Sequence, residues 1–222
     1  MREQNYSGSE YCQPVPDDAP TTTSYALLSL LAVKSWSTYE LAQQMTRSLG
    51  VIWPSAVSVL YEEPKKLVRL GFATSSDEPT GNRRRTVYSI TAKGRRALAS
   101  WLSRPGAGPV TEHEALVKVA FADHGNLEGL RQVMAAIRTE AEQRRDQIRQ
   151  EMAALSATGG PFPDRLPVIG LAGKLVAEQA ELLARWAEWA EAEVSRWEGV
   201  TPDTGARVPT RAFEPGWPKD SW

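Results

Sequence analysis

Residues Thr80 to Thr91, TGNRRRTVYSIT, put a Gly-Asn pair, three arginines and an alternating apolar segment in direct succession. Gly81-Asn82 is turn chemistry, and Thr86, Tyr88 and Ile90 fall on one face of a strand. Upstream, Gly71 ends a helical period, Phe72 and Thr74 share a strand face, and Asp77 to Asn82 (DEPTGN) is dense in turn formers. The stretch therefore predicts a hairpin with Arg83, Arg84 and Arg85 at its tip.

That concentration of charge stands in a 222-residue chain whose formal net charge is only -1. The near-neutral total hides an uneven distribution. Residues 24–104 carry 12 Lys or Arg against 5 Asp or Glu, whereas the segments before and after them are acidic. A basic module of this size is a candidate polyanion binder. The competing reading is a solvated basic face, with the arginines only keeping a strand edge soluble.

Working back from the hairpin, the same module reads as helices. Tyr25 to Leu31 is apolar on nearly every side, as in a helix packed among others. Ser37-Thr38-Tyr39-Glu40 fits a capping box and predicts a second helix over Thr38 to Leu49, closed by Gly50. Trp53-Pro54-Ser55 opens a third, because proline is tolerated in a first helical turn. Its Val57, Leu60, Tyr61, Leu67 and Leu70 predict a core-facing stripe, and Ser55, Ser58, Glu62, Lys65, Lys66 and Arg69 the opposite face. Pro64 removes a donor and clashes with the preceding turn at about 3 kcal/mol, which predicts a break near Glu62 to Pro64. Beyond the hairpin, Thr91 is the expected N-cap of a fourth helix containing Leu98 and Trp101.

Three helices, a two-stranded wing and a fourth helix make a winged helix-turn-helix. In that arrangement the polar face of the third helix enters the major groove, and the wing arginines hold phosphates. Ser55, Ser58, Lys65, Lys66, Arg83, Arg84 and Arg85 are accordingly the expected contacts to double-stranded DNA.

The segments YALLSLLAVKSWSTYELAQQM, VLYEEPKKLVRLGFA and RRRTVYSITAKGRRALASWL resemble the N-terminal domain of PadR-family transcriptional regulators. Tyr39, Glu40 and Leu41 match the family's second-helix start, Tyr61 and Leu67 its recognition helix, and Tyr88, Thr91 and Gly94 its wing and exit. The resemblance adds Tyr39 and Tyr61 to the expected DNA contacts. It also implies a dimer, most often a repressor, and often one that responds to phenolic or other aromatic small molecules.

The acidic half is helical. Thr111-Glu112-His113-Glu114 fits a second capping box, leading a helix that stops near His124-Gly125. Leu130, Met134, Ile137, Ala141, Ile148 and Leu155 then follow a four-three repeat that slips at Arg144 and Glu151. Ser156 to Pro167 (SATGGPFPDRLP) reads as a loop, and Leu171, Leu175, Leu182, Trp186, Trp189 and Trp197 mark one side of a last long helix. The pair forms an antiparallel hairpin whose apolar stripes exceed what one chain covers, so a homodimer is expected.

Catalytic and metal chemistry find no support in the sequence. His113 and His124 lack a second ligand at helical spacing, Cys12 is the only cysteine, and no phosphate loop or nucleophile elbow occurs. No cofactor is expected. The longest apolar run, Tyr25 to Val33, is under half the roughly 20 residues a membrane span needs, and the expected location is the cytoplasm. Trp186 and Trp189 could line an aromatic effector pocket, although interface core is the commoner role of such residues.

The expected organisation is a mostly α protein: an irregular segment 1–23, a winged helix-turn-helix 24–104, a helical dimerisation domain 105–199 and an irregular tail 200–222. The leading reading is a sequence-specific DNA-binding regulator. The alternative is a protein-interaction module that uses the hairpin without reading DNA.

Overall fold

A computed structural model describes residues 19–80 and 83–208. Most of the segment expected to be irregular at the N-terminus, the Gly81-Asn82 turn, Cys12 and the last part of the tail lie outside the described residues. The chain divides into two compact units at Gly108 and Pro109.

The first unit begins with α1, Thr22–Val33, whose N-cap Thr21 and third residue Ser24 form a capping box. Leu27, Leu28 and Leu31 are almost wholly buried, which accounts for the all-round apolar character of this helix. A short strand, β1 (Trp36–Ser37), leads into α2, Thr38–Leu49. Here the expected capping box forms. The backbone N–H of Glu40 donates to Ser37 Oγ at 3.4 Å, and the N–H of Ser37 donates to Glu40 Oε2 at 2.9 Å. Leu41 and Met45 of α2 complete the core against α1.

The third helix, α3, spans Val57–Arg69 with Pro64 inside it, and this corrects two expectations. It starts at Val57 rather than at Pro54, and it is not divided at Pro64. Leu60, Glu63, Pro64 and Leu67 are all buried. This i, i+3, i+4, i+7 edge packs so completely that tertiary contacts outweigh the intrinsic cost of the proline, about 3 kcal/mol. The stripe expected to face the core is consequently displaced. Val57 is 65% and Tyr61 38% exposed, while Leu60 and Leu67 stay inside.

The wing is longer than the sequence indicated. β2, Ala73–Thr80, pairs antiparallel with β3, Arg83–Ile90, in a register running from Ala73 opposite Ile90 to Thr80 opposite Arg83. Asp77 to Thr80, expected in a turn, continue the strand. Pro79 is accommodated because β2 is an edge strand and needs no second row of donors. The sheet also has a third strand, since β1 pairs with β3 through Trp36 opposite Tyr88 and Ser37 opposite Val87. Trp36 is buried, and its indole N–H donates to the Leu30 carbonyl at 2.9 Å.

After the sheet, Thr91 caps α4, Ala92–Leu102, by accepting from the Gly94 N–H at 3.0 Å. Its own hydroxyl donates to the Gly71 carbonyl at 2.8 Å. The Trp101 ring stacks on Tyr25 of α1 with centroids 4.9 Å apart. Gly94 is required by space, because a Cβ there would sit 2.1 Å from the Phe72 carbonyl oxygen. Gly71 is required by conformation, at φ 71°.

The second unit begins with α5, Glu114–Ala120. Its N-cap is His113, whose Nδ1 accepts from the Leu116 N–H at 3.4 Å; the expected cap at Thr111 is not the one used. A 3-10 turn, Ala122–His124, precedes α6, Leu127–Thr158, capped by Asn126 and ended by Gly159 at φ 72°. The return helix α7, Leu166–Ser195, starts one residue before the end of the expected loop. Leu130, Met134, Ile137, Ala141 and Ile148 form the buried edge of α6, as the four-three repeat predicts.

The partner face of α7 is a correction. Ala180, Ala184, Ala187, Ala190 and Val194 are the buried residues. Leu171, Leu175 and Leu182 are 77%, 61% and 50% exposed. Trp186, Trp189 and Trp197 pack only partly against the core. Alanine lets two helices approach closely, and a Leu edge on both would hold them apart. Ion pairs confirm the antiparallel register: Arg138 with Glu191 at 2.6 Å, and Arg149 with both oxygens of Glu181 at 2.5 and 2.8 Å. The first residues of the tail are ordered, with a 3-10 turn at Pro202–Thr204 and a hydrogen bond of 2.8 Å from the Trp197 indole to the Arg207 carbonyl.

Gly94→Ala is expected to destabilise the fold by about 1–3 kcal/mol, because a backbone carbonyl cannot move aside as a side chain can. Urea unfolding measures it. Gly71→Ala, strained but not obstructed, is the milder change.

Candidate nucleic-acid interface

The capping box at Ser37 sets the start of α2, so Tyr39, the second residue of the helix, projects outward and is 64% exposed. The same box brings the beginning of α2 to the wing, because Ser37 is also the β1 residue paired with Val87. Glu40 thereby lies within 3.9 Å of Arg85. Its carboxyl is held below the ordinary value of 4.5 by the Ser37 hydroxyl and backbone N–H, with a smaller contribution from the Arg85 guanidinium.

On α3 the buried edge of Leu60, Glu63, Pro64 and Leu67 turns Val57, Ser58, Tyr61, Glu62 and Lys65 to solvent. Lys65 donates to Glu62 at 2.7 Å, which raises its ammonium pKa above the ordinary 10.5. Lys66 is different. Its side chain is only 12% exposed and lies 3.8 Å from the equally enclosed Glu63. Ser55 precedes the helix and lines a shallow cleft with Met45, Trp53 and Leu60. The fold thus gathers Ser58, Tyr61 and Lys65 on one open face and leaves Ser55 and Lys66 off it.

The wing arginines have unlike surroundings. Arg85 stands opposite Glu78 across the two strands and donates to its carboxylate at 3.1 Å. Arg84 stands opposite Pro79, is exposed, and makes no ion pair with any described residue. The Arg83 side chain lies outside the described residues. Exposed pairs such as Arg85–Glu78 and Lys65–Glu62 contribute only about 0–1 kcal/mol, so a phosphate can displace either carboxylate. Arg84 needs no such exchange.

Glu40 and Glu78, which restrain Arg85, and Val57, assigned by its spacing to the core, had not been recognised as parts of this surface. For Glu78 the signal was available: a two-residue Gly-Asn turn places it directly across from Arg85. For Val57 it was not, because rotation of the helix decides its exposure.

Trp186 and Trp189 pack beside the α6/α7 core. Among the described residues no group of three His, Cys, Asp or Glu is placed to hold a metal ion, and no helix is long and apolar enough to cross a membrane.

Comparison with known proteins agrees with this geometry. The negative transcriptional regulator PadR of Bacillus subtilis is 29% identical over 141 residues, 62% of this chain and 71% of that protein. The crystal structure of Bacillus subtilis PadR in complex with operator DNA shares the fold at a TM-score of 0.67 and 22% identity, covering 78% of this chain and 99% of that one. The same protein in complex with p-coumaric acid gives a TM-score of 0.63 at 22% identity, over 78% and 98%. Residues 112–195 match the family described as virulence activator alpha C-term. Residues 27–100, the winged helix-turn-helix with its exposed α3 face and basic wing, match the transcriptional regulator PadR-like family, and this domain is a PadR-like DNA-binding domain of a transcription regulator.

Proposed function

We propose that this protein is a non-catalytic repressor that binds operator DNA as a homodimer and is released by a planar aromatic small molecule. The observation that carries the DNA reading is the pairing of an open α3 face with Arg84 on the adjoining wing, a cation with no carboxylate partner among the described residues. In a winged helix the recognition helix enters the major groove and the wing lies along the backbone. Phosphate contacts position such a module without reading sequence. The sign of regulation follows the relative from Bacillus subtilis, a negative regulator.

Dimerisation is supported by the face α7 leaves open. Val168, Leu171, Leu175 and Leu182 are each at least half exposed, as are Val117 and Phe121 at the end of α5. At about 25 cal/mol per Å² of apolar surface, a second copy covering this area gains several kcal/mol. Two-fold symmetry then presents two α3 helices to half-sites about one helical turn apart. The effector class rests on the p-coumaric acid complex of PadR, with Trp186 and Trp189 as the proposed aromatic lining in this chain.

Arg84→Ala is expected to weaken binding to operator and random DNA alike, and to reduce the log-log salt slope by about two units per dimer. Fluorescence anisotropy titrations between 50 and 200 mM salt, on the order used to resolve such slopes, measure both. An unchanged slope would assign the arginine to solubility alone.

Sedimentation equilibrium at micromolar concentration should find a dimer. Leu171→Glu with Leu175→Glu should find a monomer of unchanged helix content. A wild-type monomer would refute the assembly.

Planar phenolic acids are expected to quench tryptophan emission and to weaken operator binding together. Quenching that persists in a Trp186→Leu, Trp189→Leu variant would move the site elsewhere.

A further inference from the structure

The exposed face of α3 is short of the groups that usually read bases. Bidentate recognition of guanine uses Arg or Lys, and that of adenine uses Asn or Gln. Neither Asn nor Gln occurs anywhere on α3. Of its cations, Lys65 is engaged by Glu62, Lys66 is enclosed beside Glu63, and Arg69 is the last residue of the helix. Arg69 stands about 18 Å along the axis from Val57. The N-terminal residues of a recognition helix are the ones that meet base edges. Here they are Val57 and Ser58.

Val57 is 65% exposed, the most open apolar side chain of the helix. Val59 and Tyr61 are the other large apolar side chains open on α3, at 41% and 38%, and Ser58, Glu62 and Lys65 lie among them, so Val57 stands at the N-terminal end of a mixed polar and apolar face. A branched hydrocarbon at this position gains free energy only from an apolar partner, and the major groove offers one such group, the C5-methyl of thymine. Building on the DNA reading above, we infer that Val57 reads a thymine C5-methyl in each half-site, so that this regulator takes sequence information from an apolar contact. Ser58 beside it accepts or donates to either kind of base edge and discriminates less.

The test uses the full-length protein and a duplex selected by it from random DNA. Each thymine of one half-site is replaced in turn by deoxyuridine, which keeps the base pair and removes only the methyl group. One position is expected to lose about fourfold in affinity, the worth of one buried methyl, and the symmetric double replacement about the square of that. In Val57→Ala, which at an exposed site leaves the fold intact, thymine and deoxyuridine at that position should bind equally. In Val57→Thr, which keeps one methyl in the same branched shape, part of the preference should return.

Tight binding that tolerates deoxyuridine at every position would overturn the inference and leave the DNA reading standing. So would a selected half-site with no thymine, or a deoxyuridine penalty that persists undiminished in Val57→Ala. A wild-type protein that selects no DNA at all would overturn both.

Discussion

The buried edge of α3 governs how this molecule presents itself. Leu60, Pro64 and Leu67 supply apolar contact, but the fourth member, Glu63, is a carboxylate with almost no access to water. Such a group is tolerable inside only when its lone pairs are occupied. The Ser24 hydroxyl donates to its Oε1, and the Thr21 hydroxyl and the Lys66 ammonium lie 3.5 and 3.8 Å from the same oxygen. Thr21 and Ser24 are also the two halves of the capping box that starts α1. A rotation of α3 by even a third of a turn would break these contacts and carry a charge into the leucine core. The helix is therefore locked about its own axis, and the lock turns Val57, Ser58 and Tyr61 outward.

The wing depends on that core at one remove. β1 continues directly into α2, and its pairing with β3 ties the base of the wing to the helix-turn-helix. Glu40 serves both parts, accepting from Ser37 within its own helix and attracting Arg85 from β3. The arginines of the hairpin are thus graded in readiness. Arg85 is held loosely by two carboxylates, whereas among the described residues Arg84 has none to release. Surface pairing of this kind keeps an isolated basic wing from carrying unopposed charge, yet it is weak enough for a phosphate to replace.

In the second unit, one helix faces two ways. The alanines of α7 fit against the four-three edge of α6, and charged pairs align the two helices along their length. Leu171, Leu175 and Leu182 of the same helix are then left on another side. An apolar helix with two usable faces offers its small residues to the near neighbour, where backbones must approach, and its large ones to a partner able to cover them. That division is the physical basis for the proposed dimer.

Local chemistry was legible in the sequence. The capping box at Ser37, the cap at Thr91, the change from helical to alternating period after Gly71, and the four-three edge of α6 all depend on neighbours within one turn or one strand. Gly94 likewise announced a place where no Cβ fits, and Gly71 one where the backbone turns left-handed. What tertiary structure alone decided were choices between faces and partners. A two-residue strand at Trp36 has no period to detect, and exists because β3 lies beside it. Pro64 is a breaker by local rules, and stays helical because Leu60 and Leu67, one turn to either side, are buried with it. Val57 and Leu60 are equally apolar on paper, and only the enclosure of Glu63 decides which of them meets water. Leu175 is more hydrophobic than Ala187, yet Ala187 is the one buried, because close packing of α6 and α7 favours the smaller side chain. Sequence specifies what each residue can do; the surfaces brought within contact by the whole chain determine which of those capacities is used.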